Sequence, residues 1–160
     1  SKLKFVAEEL ASAKVLPDGW KAHTDPNTKK RYFSDGKSTQ WEHPLIDYYH
    51  GVVFMLGSAG GRESLLSAAS ANPPSEEEVE AMAEYLEVEA GDPEDVREVA
   101  RLAVSAPLPP GWAETTDEDG ETVFLSSASG KTQADHPLDS YFIELVRRRR
   151  SGIDKEPKWP

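Results

Sequence analysis

LPDGW at Leu16–Trp20, RYF at Arg31–Phe33 and QWEHP at Gln40–Pro44 recur downstream as LPPGW at Leu108–Trp112, TVFL at Thr122–Leu125 and QADHP at Gln133–Pro137. Turn signals separate the β-prone stretches of the first copy. In DPNT (Asp25–Thr28) proline brings a fixed φ and asparagine tolerates a positive one. In SDGK (Ser34–Lys37) an Asp-Gly pair marks a tight hairpin. Each copy therefore predicts three short antiparallel strands. The copies diverge at two aromatic positions: Tyr32 and Trp41 in the first face Val123 or Phe124, and Ala134, in the second.

The chain has 160 residues, is 38% hydrophobic and 29% charged, and carries a formal net charge of −11. That length holds one or two small units with modest cores. The absence of cysteine excludes disulfides and cysteine-based metal sites, and fits a reducing, cytoplasmic setting. The acidic balance argues against nucleic acid as a partner. No apolar run has the length of a membrane span. His23, His43, His50 and His136 show no metal-ligand spacing, and His43 and His136 occupy equivalent places, which points to a repeated structural hydrogen bond. No nucleophile motif or phosphate loop occurs, so the reading is a non-enzyme with no cofactor and no metal.

Helical patterns flank both copies. Phe5, Val6 and Leu10 share one face of a short helix; Tyr49, Val52, Val53 and Leu56 recur at i, i+3, i+4, i+7 after Pro44. Ser75 with Glu78 forms a capping box ahead of Val79, Met82, Ala83 and Leu86. Asp92 is expected as the next N-cap, with Pro93 at the first helical position and Val96, Val99, Leu102 and Ala103 facing inward. A last helix runs through Leu138, Tyr141, Phe142 and Leu145, and Arg147–Arg150 reads as a solvated cluster at its negative end, with internal pairing to Glu144 as the alternative. The expected organisation is helix, sheet (16–44) and helix over 1–56; a Gly, Ala, Ser and Pro-rich linker over 57–74; a helix pair (76–104), second sheet (108–137) and trailing helix over 75–150; and a flexible tail over 151–160. The fold class is α+β: two small three-stranded sheets, each packed by helices that must bury an apolar face.

The LPxGW, aromatic and HP signatures resemble the WW family of proline-ligand binders, here as a tandem pair. Adjacent Tyr32 and Phe33 point to opposite faces of their strand. The resemblance implies that Trp20, Phe33 and Pro44 form a structural buckle, and that Tyr32 and Trp41 line a ligand groove with polar help from Ser38 and Thr39. Were the helices folded over that face, both aromatics would instead be core. Lys29, Lys30 and Arg31 form a basic run beside the groove, read either as a solvated strand edge or as a contact for acidic or phosphorylated ligand residues. The second hairpin of this copy is two residues short, and the histidine of tyrosine-motif-reading WW domains is missing with it, which disfavours a PPxY ligand. In the second copy Trp112, Phe124 and Pro137 keep the structural core, with Leu125 as the other register for Phe124, while groove aromatics are absent.

Residues 74–150, from the acidic helix pair with its GDPED junction through PLPPGW to DHPLDSYFIELV, resemble the N-terminal helical and WW region of the 164-kDa centrosomal protein family of centriolar distal appendages. That implies a monomeric scaffold of the cytoskeleton, at the centriole or basal body. Its first groove would take a proline-containing linear motif of a partner protein, with a tau-tubulin-type kinase recruited for cilium assembly. The alternatives are a purely structural assembly piece meeting partners through helical faces or the arginine cluster, and a tandem-WW adaptor of pre-mRNA processing, which lacks the GDPED helix pair.

Overall fold

The repeated signature folds twice into the same three-stranded antiparallel sheet. The computed structural model describes residues 4–57 and 60–152. In it β1 (Lys21–Thr24), β2 (Arg31–Ser34) and β3 (Thr39–Gln40) form one sheet, and β4 (Trp112–Thr116), β5 (Thr122–Ser126) and β6 (Thr132–Gln133) the other, each in sequential order. With α1 (Lys4–Ser12), α2 (Ile46–Leu56), α3 (Gly61–Ala71), α4 (Glu76–Tyr85), α5 (Glu94–Val104) and α6 (Asp139–Ser151), the fold is α+β as expected. Of the flexible tail expected over 151–160, Ser151 instead closes α6 with Gly152 as its C-cap, and Ile153 to Pro160 lie outside the described residues.

Local chemistry sets the strand connections. Asp25 Oδ1 accepts the Asn27 and Thr28 N–H groups at 2.7 and 3.2 Å. The turn then closes through the Lys29 N–H on the Asp25 carbonyl, so the left-handed residue is Lys29 (φ 60°) rather than the expected Asn27. In the next connection Asp35 Oδ1 accepts the Lys37 N–H, the Ser38 N–H and the Ser38 hydroxyl, and Gly36 takes φ 88°. Phe33 pairs with Gln40 and Phe124 with Gln133, so this connection is two residues shorter than its counterpart. An even difference preserves which side chains face which way.

The helices of both halves share one apolar core. Its centre is the packing of α2 on α6, where Tyr48 and Tyr141, equivalent positions counted from His43 and His136, stack at 5.7 Å and 11°. The helices approach closely at Gly51: a Cβ there would lie 2.5 Å from Tyr141 Cβ. That approach turns α2 so that Tyr48, Tyr49, Val52 and Met55 are buried, while Val53, expected inside, is 45% exposed. Elsewhere the periodicity is realised: Val79, Ala83, Leu86, Val96, Val99, Leu138, Tyr141, Phe142 and Leu145 are all buried. Ser75 caps α4 by accepting the Glu78 N–H at 3.2 Å.

Three further expectations are corrected. The stretch 57–74 read as a linker contains α3, because Leu65 is completely buried in the shared core. Asp92 does not cap α5; Pro93 is the N-cap, and the Asp92 carboxylate accepts the Glu89 N–H at 2.8 Å and pairs with Arg150 at 2.6 Å. The Arg147–Arg150 cluster is paired rather than free in solvent, although Arg150 stays exposed, and the alternative of pairing with Glu144 is the one Arg147 and Arg148 take. Arg147 pairs with Glu144, Arg149 donates to the Asp95 carbonyl, and Arg150 donates to Asp92 and the Glu87 carbonyl.

Arg148 is buried outright at 1% exposure. Its guanidinium reaches Glu9 of α1 at 3.1 Å and Glu144 at 3.0 Å, and lies 4.4 Å over the Tyr48 ring. The Tyr49 hydroxyl donates to Glu9 at 2.5 Å. Arg148→Ala leaves the buried Glu9 carboxylate without its cation, Glu144 keeping Arg147, and is expected to cost about 3–5 kcal/mol. The measurement is the urea midpoint at unchanged slope; a loss below about 1 kcal/mol, the size of a surface pair, would show the network to be energetically idle.

Candidate functional site

Strand alternation on β2 divides the first sheet into two faces. Phe33, 4% exposed, points to the helical side. Its ring meets His43 at 5.1 Å, and His43 meets Tyr49 at 5.7 Å. Tyr32 takes the opposite face. The β1–β2 register sets His23 opposite Tyr32, and the Phe33–Gln40 pairing brings Trp41 alongside Tyr32 from the β3 side. One aromatic ring from each strand segment therefore stands in a row across the open face. His23 stacks on Tyr32 at 5.1 Å and 23°, and Tyr32 meets Trp41 edge-on at 6.0 Å and 73°. Trp41 is 59% exposed, so among the described residues no helix covers this face and the core alternative for Trp41 is removed.

The row opens onto a groove of about 400 Å³ lined by Asp25, Pro26, Asn27, Tyr32, Thr39, Gln40 and Trp41. Of the expected site residues it brings together Tyr32, Thr39 and Trp41. Ser38 is held elsewhere, its hydroxyl and N–H both committed to Asp35 within the turn. Lys29, Lys30 and Arg31 do not line the groove. Arg31 lies one residue from Tyr32 and so on the other side of β2, where its guanidinium donates to the Ala11 carbonyl at 2.7 Å and ties the sheet to α1. The groove wall formed by Asp25, Pro26 and Asn27 was not anticipated, nor was His23. The signal was DPNT, whose turn folds back over the sheet and fixes which β1 residue faces Tyr32. The backbone N–H groups of Asn27 and Thr28 hold the Asp25 carboxyl below the usual range, so it is a carboxylate at neutral pH.

The second sheet keeps the supports and lacks the row. Phe124 pairs with Gln133 as Phe33 does with Gln40, which settles the register in favour of Phe124 over Leu125. Phe124 meets His136 at 5.3 Å, as Phe33 meets His43. Both histidines accept a backbone N–H on Nδ1 at 3.1 Å, from Leu45 and Leu138 respectively. Trp20, Pro44, Trp112 and Pro137 are half-buried. On the face equivalent to the groove, Val123 and Ala134 stand where Tyr32 and Trp41 do, so no aromatic slot forms.

Among the described residues no group of three or more His, Cys, Asp and Glu side chains converges as a metal site, and no helix is long and apolar enough to cross a membrane. No family model matches the chain. Among curated proteins, 77 residues, 48% of the chain, align at 29% identity with centrosomal protein of 164 kDa from Mus musculus. The chain is similar to part of a centrosomal protein. The match spans 5% of that protein's length.

Burial pushes both His43 and His136 below the ordinary histidine value of 6.5, against the opposing pull of Glu9 and Asp139 respectively. The fold therefore favours neutral imidazole, whose Nδ1 lone pair caps the next backbone N–H. The unfolded chain takes up protons first, so this stability is complete above about pH 6.5 and drains as pH falls toward the lowered folded-state values. Urea unfolding at roughly pH 7.5 and 5.5 is expected to give the lower stability at the lower pH. Replacing both histidines by Asn should flatten that difference; a flat wild-type profile would contradict the assignment.

Proposed function

We propose that the chain is a non-catalytic protein-interaction module of WW type. It binds a proline-containing segment of a partner through the Tyr32–Trp41 groove, and its second sheet is a structural copy. The observation that carries this reading is the exposed Trp41 set edge-on to Tyr32 at 6.0 Å, with Val123 and Ala134 in their place on the other sheet. A proline ring fits between two such aromatic walls. An extended polyproline helix is already formed before docking and so loses little entropy. The indole N–H is a donor for a ligand carbonyl, and Thr39 adds a hydroxyl at the groove. One groove and a short linear ligand correspond to roughly micromolar affinity, about −8 kcal/mol.

In the cell the reading is a cytoskeletal scaffold at the centriole or basal body that recruits a kinase, of the tau-tubulin type, for cilium assembly. Its support is the similarity to centrosomal protein of 164 kDa. A second reading, assembly through helical faces, is favoured by Val53 on α2 and Ile143 on α6, each 45% exposed. It no longer includes the arginine cluster, whose members are engaged internally.

The test is an amide and indole NMR titration with proline-rich peptides from ciliary kinases. The Trp41 indole is expected to shift while that of Trp112 stays in place. Trp41→Ala should weaken binding about thirty-fold or more, the loss of a hot-spot aromatic, with spectral dispersion retained. Unchanged binding in that variant would refute the groove. Self-association that ignores Trp41 would favour the helical faces.

A further inference from the structure

Five tyrosines occur in the chain, and the core and the groove account for four: Tyr48, Tyr49 and Tyr141 are buried, and Tyr32 stands in the aromatic row. The fifth, Tyr85, is 48% exposed. It is the last residue of α4, and its hydroxyl reaches across to the corner where β6 passes into α6. There it donates to Asp139 Oδ2 at 3.0 Å and lies 3.4 Å from Asp135 Oδ1. Partial burial, and then Asp139, push the phenol up to about 12, so it remains a donor at neutral pH. The same Asp139 oxygen accepts the His136 N–H at 3.1 Å, and His136 supports Phe124. One hydroxyl proton therefore ties α4 to the support of the second sheet. The first repeat has no such tie, because Ile46 stands where Asp139 does, counted from His43 and His136.

A negative charge at this hydroxyl meets opposition from every side. Two carboxylates face it, and Tyr85 sits at a helix C-terminus, the negative end of the macrodipole. The arginines of α5 are engaged, Arg97 with Glu80 and Arg101 with Glu76, and Arg150, which meets the turn after Tyr85, is held by Asp92. A phosphate of about −1.5 to −2 charge in such a place disrupts by like-charge repulsion. The surrounding chain also suits a modifying enzyme. Glu84, Glu87 and Glu89 flank Tyr85, and acidic flanks match a basic peptide groove. Glu87 holds φ 60°, a left-handed conformation without glycine, so the end of α4 is a strained point from which the chain opens locally.

We propose that Tyr85 is a phosphorylation site for a tyrosine kinase of acid-directed specificity, and that the phosphate releases α4 from the β6–α6 corner. The Tyr85 oxygen attacks the γ-phosphorus of ATP. An O–P bond forms, the bond from that phosphorus to the β–γ bridging oxygen breaks, ADP leaves, and the phenolic proton passes to the kinase's base. A hydrogen-bond donor thereby becomes an anion set against two carboxylates. The site lies on the second repeat and stands apart from the aromatic groove, and it gives the sheet without a groove a regulated contact.

The experiment treats the whole chain with ATP and a tyrosine kinase chosen because it modifies a synthetic peptide of residues 76–92. Mass spectrometry of fragments is expected to place the phosphoryl group on Tyr85 and not on Tyr48, Tyr49 or Tyr141. Amide hydrogen exchange across α4 and residues 86–92 is expected to quicken about ten-fold or more, with the first sheet unchanged. Tyr85→Phe takes no phosphate there and loses only the hydrogen bond, so its exchange should rise less. Asp135→Asn with Asp139→Asn keeps acceptors for the Tyr85 hydroxyl and the His136 N–H while removing the facing charge, and phosphorylation of that variant should leave exchange nearly as it was. A kinase that modifies the peptide but not Tyr85 of the folded chain overturns the site. Phosphorylation of Tyr85 that leaves exchange unaltered overturns the release. An acceleration undiminished in the double Asn variant overturns its electrostatic cause.

Discussion

A buried guanidinium cannot shed its proton, so a chain that buries one must bring carboxylates to it. Arg148 imposes that requirement here. Glu144 answers from one turn back on the same helix, and Glu9 from the opposite end of the described chain. Docking Glu9 fixes α1 against α2 and α6, and the consequences run outward to the sheet. Ala11, half a turn further along α1, receives Arg31 of β2. On the other side of Tyr32, Phe33 rests on His43, which rests on Tyr49, whose hydroxyl returns to Glu9. The residues immediately before and after Tyr32 are thus both traced back to the same buried network.

Much of the architecture was legible in sequence because it depends on short-range rules. Alternation along a strand fixed the opposite facing of Tyr32 and Phe33, and an even difference in hairpin length kept Trp41 on the face of Tyr32. Helical periodicity identified the inner residues of α4, α5 and α6, and Ser75 announced its cap. The larger misses share a different cause: a partner distant in sequence decided them. Leu65 makes α3 a packed helix only because a core exists for it to enter. Val53 lost its inward place to the close approach of Gly51 and Tyr141. Asp92 gave up capping for Arg150, and four consecutive arginines, which look solvated in one dimension, each found a carboxylate or carbonyl in three. At the groove, DPNT was readable as a turn, but not as a wall, because that role depends on how far the turn folds over its own sheet.

The two repeats show which parts of the pattern are held by structure. The ring of Phe33 or Phe124 against a histidine, and that histidine's Nδ1 accepting a backbone N–H, are preserved almost to the tenth of an ångström. The open face has no such anchorage. Replacing Tyr32 and Trp41 by Val123 and Ala134 leaves the sheet intact, because nothing beneath it depends on those side chains. In the proposed function, recognition is confined to a face the fold can alter freely.

The stacking of Tyr48 on Tyr141 has a consequence for how such a protein changes. These rings sit at the same place in each repeat and meet each other, so the interface is self-facing, like a two-fold dimer joined into one chain. Any change in the size of that tyrosine is felt once by both halves, whereas a change on an open face is felt by one alone. Duplication of the repeat therefore locks the helices together and releases one of the two sheets from duty. The sheet without an aromatic row is the partner that lets the other stand, and its blank face can drift while its helix cannot.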